Sequence, residues 1–161
     1  MKNIQTEIKW AILFVVMTLI WMMIERLTGL HDIHIDKHPI YSNLIAIPAI
    51  AIYVFALLDK KKNFYHGKMT YKQGFISGLI ITAIVAIISP LTQYISLTLI
   101  TPHFFENAIQ YAISKNMMTV EEANNEFNLK NYIVVGFIGS VVIGIITAAI
   151  VAIFTKSKNE N

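Results

Sequence analysis

Between Trp10 and Ile24, His38 and Leu58, Gln73 and Phe105, and Asn131 and Thr155 the chain carries no Asp, Glu, Lys or Arg. An uncharged, mostly apolar run of about 18 or more residues is long enough to cross a bilayer as a helix. The pattern therefore predicts an all-α polytopic membrane protein with four transmembrane helices. The first run is extended to that length by tolerating Glu25 near one edge. The expected spans are residues 8–30, 40–58, 74–100 and 131–155, within a single domain over 1–161, with short outer helices over 102–128.

The composition agrees. Hydrophobic residues make up 55% of the chain and charged ones 14%, against roughly 25% charged in soluble domains. The net charge of +3 comes from lysines beside apolar spans, where they meet lipid headgroups, so nucleic acid is not an expected partner. There are no cysteines, which removes disulfides, thiolate metal sites and cysteine nucleophiles together. Lys2 and Lys9 precede the first apolar run, but Met22, Met23, Ile24 and Glu25 offer no small-residue cleavage site, so this span reads as retained.

Orientation follows from the basic residues. Lys2, Lys9, Lys60, Lys61, Lys62, Lys68, Lys72, Lys156 and Lys158 fall on one side of four alternating spans. Arg26, Lys37, Lys115 and Lys130 fall on the other. The excess of Lys and Arg marks the cytoplasmic side. The expectation is a multi-pass protein of the bacterial inner membrane with both termini in the cytoplasm.

The spans also carry packing information. Gly136, Ser140, Gly144, Ala148 and Ala152 recur every four residues in the fourth, and Gly74, Gly78, Thr82 and Ala86 do so in the third. Helices in lipid associate by close packing, and small-residue faces let backbones approach. The third and fourth helices are expected to pack through these stripes; the rival is a homodimer seam on the fourth. The third run, from Gly74 to Thr101, is about 42 Å long as a helix against a core of roughly 30 Å. Tilt, a bend at Pro90 and a protruding end are expected to absorb the excess; Pro48 is expected to bend the second helix. In the outer connection Thr101-Pro102 reads as an N-cap and first helical position. Phe105, Ala108, Ile109, Ala112 and Ile113 follow at helical spacing, and Thr119-Val120-Glu121-Glu122 is a capping-box signature. The result is a small amphipathic helical hairpin.

Few residues offer chemistry. Glu25 is a carboxylate at the edge of the first span, and intramembrane carboxylates mark ion or substrate paths. Its distance from Trp10, roughly 22 Å, also fits an interfacial charge. Gln93 and Tyr94 follow Pro90 and, with Glu25, form the candidate intramembrane polar site. His31, His34 and His38 carry the right ligand type for zinc or nickel. They would share a face of a helix, but Lys37 sits among them, so they read as a polar outer loop and no metal or cofactor is assigned. No phosphate-binding loop, catalytic triad or carboxylate pair is present.

Glu25, Ala46-Ile47-Pro48, Tyr71-Lys72-Gln73-Gly74-Phe75 with Gly78, Thr101-Pro102, Phe104-Phe105 and the Glu-rich outer segment resemble the integral-membrane family called domain of unknown function 4199, found mainly in Bacteroidota. The resemblance covers nearly the whole chain. It implies a four-helix membrane protein and no known activity, so no catalytic residue transfers. The functional expectation is a non-enzymatic subunit or scaffold of a membrane complex. The alternative is a small transporter or channel-like protein working as an oligomer. The bilayer itself, a membrane-protein partner or a second copy are the partners such a chain calls for.

Overall fold

The computed structural model describes residues 4–158, and these fold entirely as helices and turns. Four helical runs are long and apolar enough to cross a membrane: Gln5–Leu27, Ile35–Asn63, Tyr71–Ile100 and Leu129–Thr155. The protein is a multi-pass membrane protein. In chain order the α-helices are α1 (Gln5–Leu27), the single turn α2 (His38–Tyr41), α3 (Ala46–Asn63), α4 (Tyr71–Ile95), α5 (Phe104–Ser114), α6 (Val120–Glu126) and α7 (Leu129–Thr155).

Helices α4 and α7 form the most extensive contact of the bundle. Helix α1 packs on α4 and α3, and α3 closes the ring against α7. The α4–α7 seam is built from small residues. A Cβ placed on Gly78 would stand 2.6 Å from Ala148 Cβ, one on Gly144 2.5 Å from Thr82 Cγ2, and one on Gly74 3.5 Å from Ala152 Cβ. Ser140 lies on the same face, half-buried. Such approach is what glycine permits between helices that have no hydrophobic effect to drive them together.

Each helix boundary has a local cause. Helix α1 begins at Gln5 and stops at Leu27, earlier at both ends than the apolar run alone indicates. It stops because Gly29 adopts a left-handed conformation, φ 76°. Gly29 N–H donates to Arg26 O and Leu30 N–H to Glu25 O, the paired bonds of a Schellman ending. The second run begins as 3₁₀ and single-turn helix over residues 35–45 and becomes regular only at Ala46. Pro48 has no N–H to offer the carbonyl one turn back, so the irregular turn ahead of it is expected. Helix α4 opens with a full capping box on Thr70 and Gln73, continues through Pro90, and ends in a wider turn over Ser96–Ile100.

The connection that follows departs from the sequence reading in one respect. Thr101 does not cap the next helix: its Oγ1 donates back to Ser96 O at 3.0 Å, closing the wide turn, and α5 starts at Phe104. Thr119 does form the expected capping box with Glu122. Phe104, Ala108 and Leu97 are buried together with Ile35, Phe127 and Tyr132 packed around them, so the α5–α6 hairpin covers one end of the bundle. At the opposite end Ser157 N–H donates to Met69 O at 2.7 Å and Lys61 Nζ to Thr155 O at 3.0 Å, tying the end of α7 to the α3–α4 turn.

Candidate functional site

Helix α1 carries two glutamates, Glu7 and Glu25. They are 18 residues apart, which is five turns at 3.6 residues per turn, so both lie on one face about 27 Å from each other. That face, continued through Ala11, Phe14, Thr18 and Trp21, looks into the bundle rather than at lipid. Glu7 is 1% exposed and Glu25 2%. Both are enclosed by protein.

The two environments differ. Glu7 accepts from Lys60 Nζ at 2.9 Å and from Ser77 Oγ at 2.6 Å, and Lys60 is itself 3% exposed with its ammonium 4.0 Å from the Phe64 ring centroid. A carboxylate removed from water is tolerable when paired and hydrogen-bonded in this way. The pair seals the terminal end of the bundle above Ala11, Leu57 and Ile81, which are fully enclosed.

Among the described residues no Lys or Arg pairs with Glu25, and its one ion-pair partner, His31, is charged only when protonated. Among the described residues its partners are Trp21 Nε1 at 2.6 Å and Ser42 Oγ at 2.6 Å, both donating to Oε1, and His31 Nε2 at 3.1 Å from Oε2. The neighbouring Arg26 turns away, exposed, and donates to Ile100 O. The Schellman turn explains how His31 arrives: the chain reverses at Gly29 and lays residue 31 back across the helix end. Asn107 Nδ2 of α5 then pins His31 O at 2.8 Å. The His38 ring, one turn into the second run, lies 5.2 Å from the His31 ring, and Phe104 packs against both at 5.2 and 5.1 Å. One ligand atom each from Glu25, His31 and His38 falls within 4.8 Å of the others.

These three residues form the end of a cavity of about 300 Å³ between α1, α4 and α7. Its wall alternates apolar groups (Phe14, Val85, Leu97) with hydroxyl and amide groups (Thr18, Ser89, Thr92, Gln93, Ser96, Ser140). Two buried polar atoms on this wall, His31 Nδ1 and Ser89 Oγ, have no hydrogen-bond partner among the described residues. Buried polar atoms are almost always satisfied, so an orphan pair beside one cavity marks a place where a polar guest belongs.

The sequence candidates are distributed unequally over this geometry. Glu25 and Gln93 line the cavity; the Gln93 amide lies where a side chain on Gly136 would be, 2.5 Å from that Cβ position. Tyr94 does not join them. It is 50% exposed on the outward face of α4, as expected one residue, or 100°, around the helix from Gln93. His31 and His38 come together with Glu25, whereas His34 faces a neighbouring groove with Leu30, Lys37 and Tyr41, to whose lining Trp21 and Glu25 also contribute. The reason is that residues 28–37 are turns and a 3₁₀ segment, not the helix that would put the three histidines on one side. Trp21, Ser42, Glu7, Lys60 and Ser77 belong to the buried polar network and were not singled out by sequence. The five-turn spacing of the two glutamates was the available signal.

No curated protein and no solved structure gives a significant match to the chain. The family model described as DUF4199, protein of unknown function, matches residues 9–157, and the chain belongs to that family.

Proposed function

We propose that the protein is a small transporter-like membrane protein that takes a cation into the cavity beneath the α5–α6 hairpin, with Glu25 as its countercharge. One observation carries the reading: Glu25 is a buried carboxylate at the end of a cavity with no resident Lys or Arg among the described residues, while Glu7 on the same helix face has one. A buried carboxylate without a permanent countercharge is costly even when hydrogen-bonded, and one that faces a cavity of about 300 Å³ suits a guest of opposite charge. The excess of Lys and Arg on the terminal side favours both termini in the cytoplasm of a bacterial inner membrane, with the cavity on the outer side. The non-enzymatic scaffold role expected from the sequence rests chiefly on the absence of a buried charged path, and the burial of Glu7 and Glu25 weakens that support. The test is uptake by proteoliposomes carrying the full chain, followed with proton-, sodium- and zinc-sensitive dyes. Uptake of one of these ions that falls to the level of protein-free vesicles with Glu25→Gln supports the reading. Uptake of all three at that level in the unaltered protein refutes it.

A further inference from the structure

We propose that Glu25, His31 and His38 are the ligands of a divalent d-block cation of the zinc type. The inference rests on the reading of the cavity as a cation site and names the ion class. The donor set is one carboxylate oxygen and two imidazole nitrogens with no thiolate, which suits zinc, nickel or iron(II) and is poor for copper(I) or for calcium. Three protein ligands with further space beside them is the pattern of sites that leave one position open. The open position here is the cavity.

The spacing is close to what an ion requires. A tetrahedral ion with bonds of about 2.1 Å holds its ligands about 3.4 Å apart. The three candidate atoms lie within 4.8 Å of one another, so they close onto an ion by at most about 1.4 Å, a movement available to side-chain torsions alone. His31 Nδ1, buried and unpartnered, gains a use if His31 turns.

Supporting contacts orient the set. Trp21 and Ser42 both donate to Glu25 Oε1, leaving Oε2 facing His31. Phe104 buttresses both imidazoles, and Asn107 fixes the His31 backbone. Metal ligands are held in this manner by partners whose removal weakens binding about 10–100-fold. Charge also balances: a divalent ion offsets the carboxylate and leaves one positive charge for a hydroxide or anionic group entering from the cavity.

The experiment is binding, not flux. Purified full chain, with any affinity tag removed, is titrated with zinc by calorimetry and separately with cobalt(II) by visible absorption. One equivalent of zinc is expected, together with the d–d bands of low-symmetry cobalt. Glu25→Gln and His38→Ala are expected to abolish both signals, Ser42→Ala to weaken binding about 10–100-fold, and His34→Ala to leave it unchanged. Absence of zinc binding tighter than millimolar and of cobalt bands in the unaltered protein overturns the inference, even if a variant fails to fold. Equal binding by His34→Ala and His38→Ala overturns it too. If Glu25-dependent sodium or proton uptake persists in a protein that does not bind zinc, the metal assignment falls and the transport reading stands. Zinc binding without uptake of any probe ion has the opposite consequence.

Discussion

Replacing Gly78 with alanine adds one methyl group at the most rigid close approach of the α4–α7 seam. The new Cβ would stand 2.6 Å from Ala148 Cβ and 3.2 Å from Ala148 Cα. Two carbons in contact prefer 3.5–4.0 Å, so the shortfall is about 1 Å. Neither alanine has a torsion with which to yield, and Ala148 Cα is backbone. The helices must separate instead. A radial gap of that size forfeits a quarter to a half of the dispersion energy of each opposed pair, and the seam continues through Gly74–Ala152 and Gly144–Thr82. Overpacking of this kind costs about 1–3 kcal/mol, and the rigidity of both partners places Gly78→Ala at the upper end.

The other glycines of the seam give the internal scale. A methyl on Gly144 meets Thr82 Cγ2 at 2.5 Å and Oγ1 at 2.8 Å. Thr82 can rotate, but only by giving up its bonds to Tyr53 Oη at 2.8 Å and Gly78 O at 2.9 Å. A methyl on Gly136 meets the amide end of Gln93, which swings into the cavity at little cost. A methyl on Gly139 meets nothing within 4 Å, and alanine is the better helix former by about 1 kcal/mol. The expected order of stability is Gly139→Ala, then Gly136→Ala, then Gly144→Ala, with Gly78→Ala last and about 3 kcal/mol below the first. Reversible unfolding by sodium dodecyl sulfate in mixed micelles, followed by tryptophan fluorescence, measures it. A Gly78→Ala protein within 0.5 kcal/mol of the unaltered one would refute the packing argument, as would equal loss at Gly139.

Further outcomes follow from the two polar ends. Glu7→Gln removes the carboxylate charge that faces the buried Lys60 ammonium and is expected to cost about 3–5 kcal/mol, most of it recovered in the Glu7→Gln, Lys60→Met double variant. The same unfolding assay decides, and a single variant less than 1 kcal/mol destabilised would count against the pair. At the hairpin, hydrogen bonds from Thr119 N–H and Oγ1 to Glu122 hold its carboxyl below the usual glutamate range. The folded value is depressed, so its stabilising effect on α6 is complete above the unfolded value of about 4.3. It is lost as pH falls through the lower folded value. Backbone chemical shifts of residues 120–126 should move toward coil in that acid window. Identical pH dependence in Glu122→Gln would show that the cap is not the cause.

The four crossings are legible because a charge in hydrocarbon is costly enough that its absence over a long run has one main meaning. The small-residue stripes are legible for a similar reason: in apolar sequence, glycine every four residues has few uses other than close approach. The site is legible only in part. Glu25 stands out as an acid at the edge of an apolar run, but its surroundings depend on where the helix ends. Gly29 ends it by a left-handed turn that no hydrophobic pattern records, and that turn carries His31 back over Glu25. His34 and His38 were indistinguishable until the intervening 3₁₀ segment set their directions. Glu7 and Lys60 look like flanking charges, and Lys60 in particular sits inside a lysine cluster whose other members are exposed or half-buried. Only the five-turn interval between Glu7 and Glu25 ties the two ends to one face. Tyr94, in contrast, is excluded from Gln93's side by helical geometry alone.

The difference between the two ends of α1 bears on how a guest would move. At the terminal end the buried face is filled: an ion pair, then Ala11, Leu57 and Ile81, then the Tyr53–Thr82 hydrogen bond at mid-bundle. At the hairpin end the same face opens into the cavity, which stops at Phe14 and Val85. A cation that reaches Glu25 therefore meets a closed floor, and passage requires that floor to part. The α4–α7 pair is the poorest candidate for motion, since small residues lock its backbones together over three successive contacts. Helices α1 and α3 meet each other with Phe14 edge-on to Tyr53 at 6.0 Å, and the Phe14 ring can turn without breaking a hydrogen bond. Any transport cycle in this chain thus divides the bundle into a fixed half, α4 with α7, and a moving half, α1 with α3. Glu7–Ser77 and Tyr53–Thr82, which join the two halves, are then the bonds that must be remade each time the moving half returns.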